Sequence, residues 1–95
     1  MTAKVGGVND WVLEKAIEPA IKGISRVVRE RIIRIVHLVM NNPGIKNIEL
    51  QKELGVSERT ITSDIKRLKG YIIYEGSKKG GGYILVKSFE KELKN

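Results

Sequence analysis

Three residues, Gly55-Val56-Ser57, constrain the fold of this chain more than any other stretch, because a different short amphipathic pattern lies on each side of them. Upstream, Ile48, Leu50 and Leu54 predict a short helix from about Asn47 to Leu54. Gly55 sits where a helix C-terminus favours a left-handed residue. Ser57 follows as the N-cap of a helix over 57–69, in which Ile61, Ile65 and Leu68 recur at i, i+4 and i+7 and point one way. Arg59, Thr62, Ser63, Lys66, Arg67 and Lys69 mostly point elsewhere.

The period changes after Gly70. Tyr71-Ile72-Ile73-Tyr74-Glu75 and Tyr83-Ile84-Leu85-Val86-Lys87 are aromatic and β-branched pentads flanking a glycine-rich loop over 76–82, which is the pattern of a β-hairpin. Ahead of the turn, Ser25 precedes a long apolar and basic run that is too long for one strand and reads as a helix ending before Asn41-Asn42-Pro43-Gly44. Its apolar residues occupy more than one stripe, which predicts two partners, the chain's own core and a second subunit. A first helix runs from about Asn9 to Ile17, with Asn9 or Asp10 as its cap. Pro19 either ends it or opens the next, and with Gly23 it predicts a break between Glu18 and Ile24. Residues 88–95 read as a charged tail with one helical turn around Phe89 and Leu93.

At 95 residues there is room for one compact domain. The expected division is an N-terminal helical segment over 1–24, a folded domain over 25–87 and the tail over 88–95. Eighteen Lys and Arg against eleven Asp and Glu leave a net charge of +7, which favours an anionic partner. The excess begins at Arg26: residues 1–24 hold three basic and three acidic groups, so the first quarter is chemically distinct. No cysteine is present and His37 is the single histidine, which excludes disulfides, thiolate sites, a cysteine nucleophile and most imidazole zinc sites. No catalytic motif, metal site or cofactor site is expected, and the Gly80-Gly81-Gly82 run lacks the Lys-Ser/Thr and following helix of a phosphate-binding loop. No apolar run is long enough to span a membrane and no signal peptide is recognisable. The expectation is a soluble cytoplasmic protein, in host cytoplasm or nucleoid if viral.

A helix, a short helix, a three-residue turn and a helix with a filled apolar face and a basic, hydroxylated opposite face make a helix-turn-helix arrangement. The following hairpin makes it a winged helix. The predicted fold is therefore an α+β winged helix-turn-helix, a three-helix core plus a β-hairpin wing, with an extra N-terminal helix. Its recognition helix would enter a DNA major groove, and Lys78 and Lys79 at the wing tip would follow phosphates or enter a minor groove.

The spacing Leu50-(x)3-Leu54-Gly55-Val56-Ser57-(x)2-Thr60-Ile61-(x)2-Asp64-Ile65-(x)2-Leu68 resembles the helix-turn-helix of the DeoR and biotin-repressor type winged-helix regulators. The likeness covers about Arg31 to Lys87. It implies that Thr60 and Asp64 help to fix the recognition helix while Glu58, Arg59, Thr62, Ser63, Lys66 and Arg67 face DNA. The chain departs from that family at Ser63, where arginine is usual. In size it is similar to small stand-alone winged-helix regulators of archaea and their viruses.

The candidate DNA-binding residues are thus Ser57, Glu58, Arg59, Thr62, Ser63, Lys66, Arg67, Lys69, Lys78 and Lys79. Against this stands the ordinary reading of such residues as a solvated helix face and loop tip. Arg59 is the candidate for guanine readout, since its planar fork matches O6 and N7, whereas Lys66 and Arg67 suit phosphates. Of Arg26, Arg29, Arg31 and Arg34, some are expected to pair with acids such as Glu30 and one or two to reach flanking phosphates. Trp11, Leu13, Ile17, Ile21, Ile24 and Val28 offer more apolar surface than a small winged helix needs, which predicts a homodimer interface; the alternative is that they cap their own core. Tyr71, Tyr74 and Tyr83 are too few, on too small a sheet, for a single-strand stacking platform. The function expected is sequence-specific binding of double-stranded DNA by a homodimeric transcriptional regulator, with repression by occlusion as the simplest mechanism, activation through polymerase contact equally allowed, and no small-molecule ligand evident. A sequence-independent architectural DNA binder and a winged-helix protein-interaction module remain as alternatives.

Overall fold

The path of the chain is set by side-chain caps and left-handed glycines, and a computed structural model describes it for residues 9–77 and 80–94. Helix α1 (Asp10–Ala16) starts at Asn9, whose side chain accepts the Val12 N–H at 3.0 Å. It stops at Ile17, and the short helix α2 (Glu18–Ile21) begins with Pro19 in its first turn. Proline has no N–H and crowds the preceding turn, so it opens the new helix rather than continuing the old one. The break therefore begins one residue ahead of the predicted span. The chain turns again at Lys22 and Gly23, where φ is 81°.

Ser25 accepts the Val28 N–H and starts α3 (Arg26–Asn41), the central helix. Ile32, Ile33, Ile35, Val36 and Val39 are buried on it. It packs on α1 as well as on α4 (Asn47–Leu54), α5 (Glu58–Arg67) and the strand β2 (Gly82–Leu85). Most of the apolar surface of α3 is thus covered by elements of the same chain, while Val27 in its first turn stays exposed.

Between α4 and α5, Gly55 takes φ 66° and ψ 35°, a left-handed conformation natural to glycine, and its N–H donates to Gln51 O at 2.8 Å. Ser57 then accepts the Thr60 N–H at 3.2 Å and α5 begins. Within α4, Leu50 is buried and Leu54 half-buried, but Ile48 is exposed rather than part of the apolar face.

Strand β1 (Ile72–Glu75) pairs antiparallel with β2, Ile72 opposite Leu85 and Tyr74 opposite Tyr83. The hairpin is not isolated. Ile45 forms an antiparallel bridge with Tyr83, so the segment leading into α4 lies against β2 as a third, minimal strand. A single bridged residue leaves no periodic trace in a sequence, so the sequence shows only the two strands of the hairpin.

The C-terminal residues form α6 (Lys87–Lys94), two turns rather than one. Phe89 and Leu93 are buried, and α6 packs on α1. The Phe89 ring meets Tyr71 edge-on with centroids 4.9 Å apart. Leu13, Ile17 and Ile21 from the N-terminal segment join the same apolar cluster as Ile35, Leu50, Ile61 and Leu85. These three residues, expected at a homodimer interface, are buried within their own chain.

Candidate nucleic-acid interface

The two faces of α5 differ sharply. Ile61 and Asp64 on the helix and Leu68 at its C-terminal cap are buried, Thr60 and Ile65 are half-buried, and the opposite side is exposed. On that side Glu58, Arg59, Thr62, Ser63 and Lys66 line one shallow groove. Their spacing is that of neighbours on a single helical face, i, i+1, i+4, i+5 and i+8. Arg67 is exposed at the last turn and Lys69 just beyond it. Ser57 is also exposed, with its hydroxyl 3.2 Å from both the Thr60 N–H nitrogen and Thr60 Oγ1. Lys78 and Lys79 lie outside the described residues.

What holds α5 at its angle is an ion pair at its inner face. Asp64 is 2 % exposed, and Arg31 of α3 donates from Nε and Nη2 to its two carboxylate oxygens, the second contact at 3.1 Å. This two-pronged geometry fixes orientation as well as distance. Hydrogen bonding to Asp64 raises the pKa of Arg31 above its ordinary value, against the opposing effect of burial. Arg31 is therefore committed to positioning α5. A carboxylate at an inward position of an amphipathic helix signals that a cation must reach it, but the spacing of α5 alone does not say which arginine does so.

The remaining arginines of α3 divide clearly. Arg26 pairs with Glu30 at 3.4 Å and Arg29 with Glu14 of α1 at 3.5 Å. Arg34 is exposed and meets no acid among the described residues. On α5 and just after it the contrast is complete: Arg59, Lys66, Arg67 and Lys69 are all exposed, and none has an acidic partner among the described residues. Uncompensated cations beside hydroxyl groups can meet phosphate oxygens and base edges.

His37 serves the scaffold, with Nε2 2.8 Å from Asp10 Oδ1, joining α3 to α1. Of the predicted interface residues, Trp11 remains 66 % exposed, with the Lys15 ammonium 5.8 Å from its ring centroid. Ile24 and Val28 are half-buried, and Val27, not singled out from sequence, is 71 % exposed. Among the described residues no three His, Cys, Asp or Glu side chains converge as a metal site, and no helix is long and apolar enough to cross a membrane.

A family model described as an HTH domain matches residues 31–84, from the arginine that anchors α5 to the middle of the second wing strand. No curated protein and no solved structure matches the chain. The match spans more than half of the sequence and contains α4, the turn and α5 entire. The chain belongs to the helix-turn-helix domain family, a family of DNA-binding domains and not of enzymes.

Proposed function

We propose that this chain is a transcriptional regulator that binds double-stranded DNA by sequence, as a homodimer, with α5 in the major groove. The observation that carries the reading is the stripe of cations and hydroxyls on α5, the cations without an acidic partner among the described residues, opposite a face clamped to the core. Arg59, in the first turn, reads a guanine edge, Thr62 and Ser63 contact neighbouring bases, and Lys66, Arg67 and Lys69 meet phosphates. The wing over 76–82, with Lys78 and Lys79, follows the backbone or enters the minor groove.

Dimerisation in this reading uses what the core leaves uncovered, Trp11 and Val27 with the edges of Ile24 and Val28. The groove beside Trp11 and Ile24 carries both charge signs, Glu14 and Glu18 with Lys15, Lys22 and Arg29, and a mixed-sign surface suits a second copy better than a polyanion. Two-fold symmetry then favours an inverted repeat with half-sites ~34 Å apart or a multiple of it. Occlusion of a promoter would repress.

The test is duplex binding measured across a salt series. Lys66→Ala with Arg67→Ala should weaken all duplexes alike and lower the slope of log K against log salt by about 0.9 for each phosphate no longer neutralised. An unchanged slope would remove the end of α5 from the interface. Sedimentation at the same protein concentrations should give a dimer that Trp11→Ser with Val27→Ser converts to monomer; a wild-type monomer on DNA would overturn the symmetric arrangement.

A further inference from the structure

Tyr83 occupies the point where the wing meets the helix-turn-helix. Its backbone N–H donates to Ile45 O and its carbonyl accepts the Gly44 N–H, both at 2.8 Å. Its hydroxyl accepts from Asn47 Nδ2 at 3.3 Å, and Asn47 Oδ1 in turn accepts from Gln51 Nε2 at 2.7 Å. Asn47 is the first residue of α4, so one residue of β2 is tied three times to the segment that starts the helix-turn-helix.

The ties continue toward the wing tip. The Tyr83 ring packs edge-on against Tyr74, centroids 5.4 Å apart, and the Tyr74 hydroxyl donates to Ser77 O at 2.9 Å. Ser77 closes the loop from its other end: its hydroxyl accepts the Gly80 N–H at 2.9 Å and its carbonyl the Gly81 N–H at 2.7 Å. The wing base also has no slack, because a Cβ on Gly82 would overlap the Gly44 carbonyl.

We propose that Asn47 and Tyr83 are positioning residues that set the angle of the wing to the recognition helix, so that wing and α5 engage one DNA duplex together. This rests on the reading that the wing touches DNA. A hairpin joined to the core only through its strand ends would sweep over many orientations, and each would have to be frozen out on binding. The chain Gln51–Asn47–Tyr83–Tyr74–Ser77 holds one orientation in advance. It also gives the tyrosines of the sheet a role, since Tyr74 is exposed, Tyr83 is only half-buried and the sheet is too small to stack bases.

The experiment is a double-mutant comparison on duplex DNA. Tyr83→Phe and Asn47→Ala are each made in the wild-type chain and in a chain carrying Lys78→Ala and Lys79→Ala. In the wild-type background each should weaken binding about threefold to tenfold, the scale of one net hydrogen bond, while the urea midpoint moves little for Tyr83→Phe. In the background without Lys78 and Lys79 neither should weaken binding further, because the wing no longer contributes. Exchange of the Gly44 and Tyr83 amide protons in free Tyr83→Phe protein should be faster than in wild type. Equal weakening in both backgrounds, or no weakening in either, would overturn the positioning role. If removing the two lysines leaves affinity and salt slope at wild-type values, the wing reading itself fails and the proposal with it.

Discussion

Asp64 and Arg31 show how a single residue pair converts a helix with two chemically different sides into one with a fixed orientation. The carboxylate is buried and the guanidinium keeps a fifth of its side chain in contact with solvent. That asymmetry makes an unequal prediction. Arg31→Met leaves an uncompensated buried charge and should cost about 3–5 kcal/mol in a urea titration, whereas Asp64→Asn, which leaves Arg31 able to reach water, should cost less, and the double substitution less than the sum. Equal single costs would mean that the pair is more open to solvent than this. At this scale the sequence is informative about what a residue needs and not about who supplies it. Asp64 at an inward position calls for a cation, yet four arginines stand on α3, and which one reaches α5 depends on how the helices cross. The same is true of Asn47 and Tyr83, 36 residues apart.

At the scale of elements, local chemistry decides most of the boundaries. Asn9, Ser25 and Ser57 each accept a backbone N–H three residues on, and Gly55 takes the left-handed conformation that ends α4. Such signals involve neighbours in the chain, so the turn and the starts of α1, α3 and α5 are legible without a fold. Removing one has a specific signature. Ser57→Ala should lower stability by about 1 kcal/mol and Ser57→Gly by only a few tenths, since glycine tolerates the cap geometry and exposes the N–H groups to water; equal losses in a denaturant titration would show that the hydroxyl is not the cap. Two features are less legible for the opposite reason, the full length of α6 and the Ile45 bridge. In α6 only Phe89 and Leu93 mark an apolar face within a charged octapeptide, and a helix of that length is marginal until something covers it. The Ile45 bridge is a tertiary contact without a pattern of its own.

Across the whole molecule, segments outside the helix-turn-helix are bound into its core. Leu13, Ile17 and Ile21 pack from one end of the chain and Phe89 and Leu93 from the other, with α1 and α6 in contact. The apolar surplus of the first quarter is visible in the sequence; whether it faces the chain's own core or a second copy is not, because composition does not encode a partner. Most of it faces inward, while Trp11 and Val27 remain outside. Phe89→Ala should therefore destabilise the entire fold by about 3–5 kcal/mol, with far-UV circular dichroism and Trp11 fluorescence reporting one coincident transition. Separate transitions would make α6 an appendage. Sequence reading by α5 is decided by selecting bound duplexes from a random library at about 0.15 M salt, where unspecific phosphate attraction is partly screened, with the wild-type chain and with Arg59→Ala. The expected result is an enriched inverted repeat for the wild type and loss of preference at one base pair of each half-site for the variant. Salt-sensitive retention without any enriched sequence would contradict readout by α5 and make the protein an architectural DNA binder, and no retention of any duplex would leave the exposed face of α5 to a protein partner.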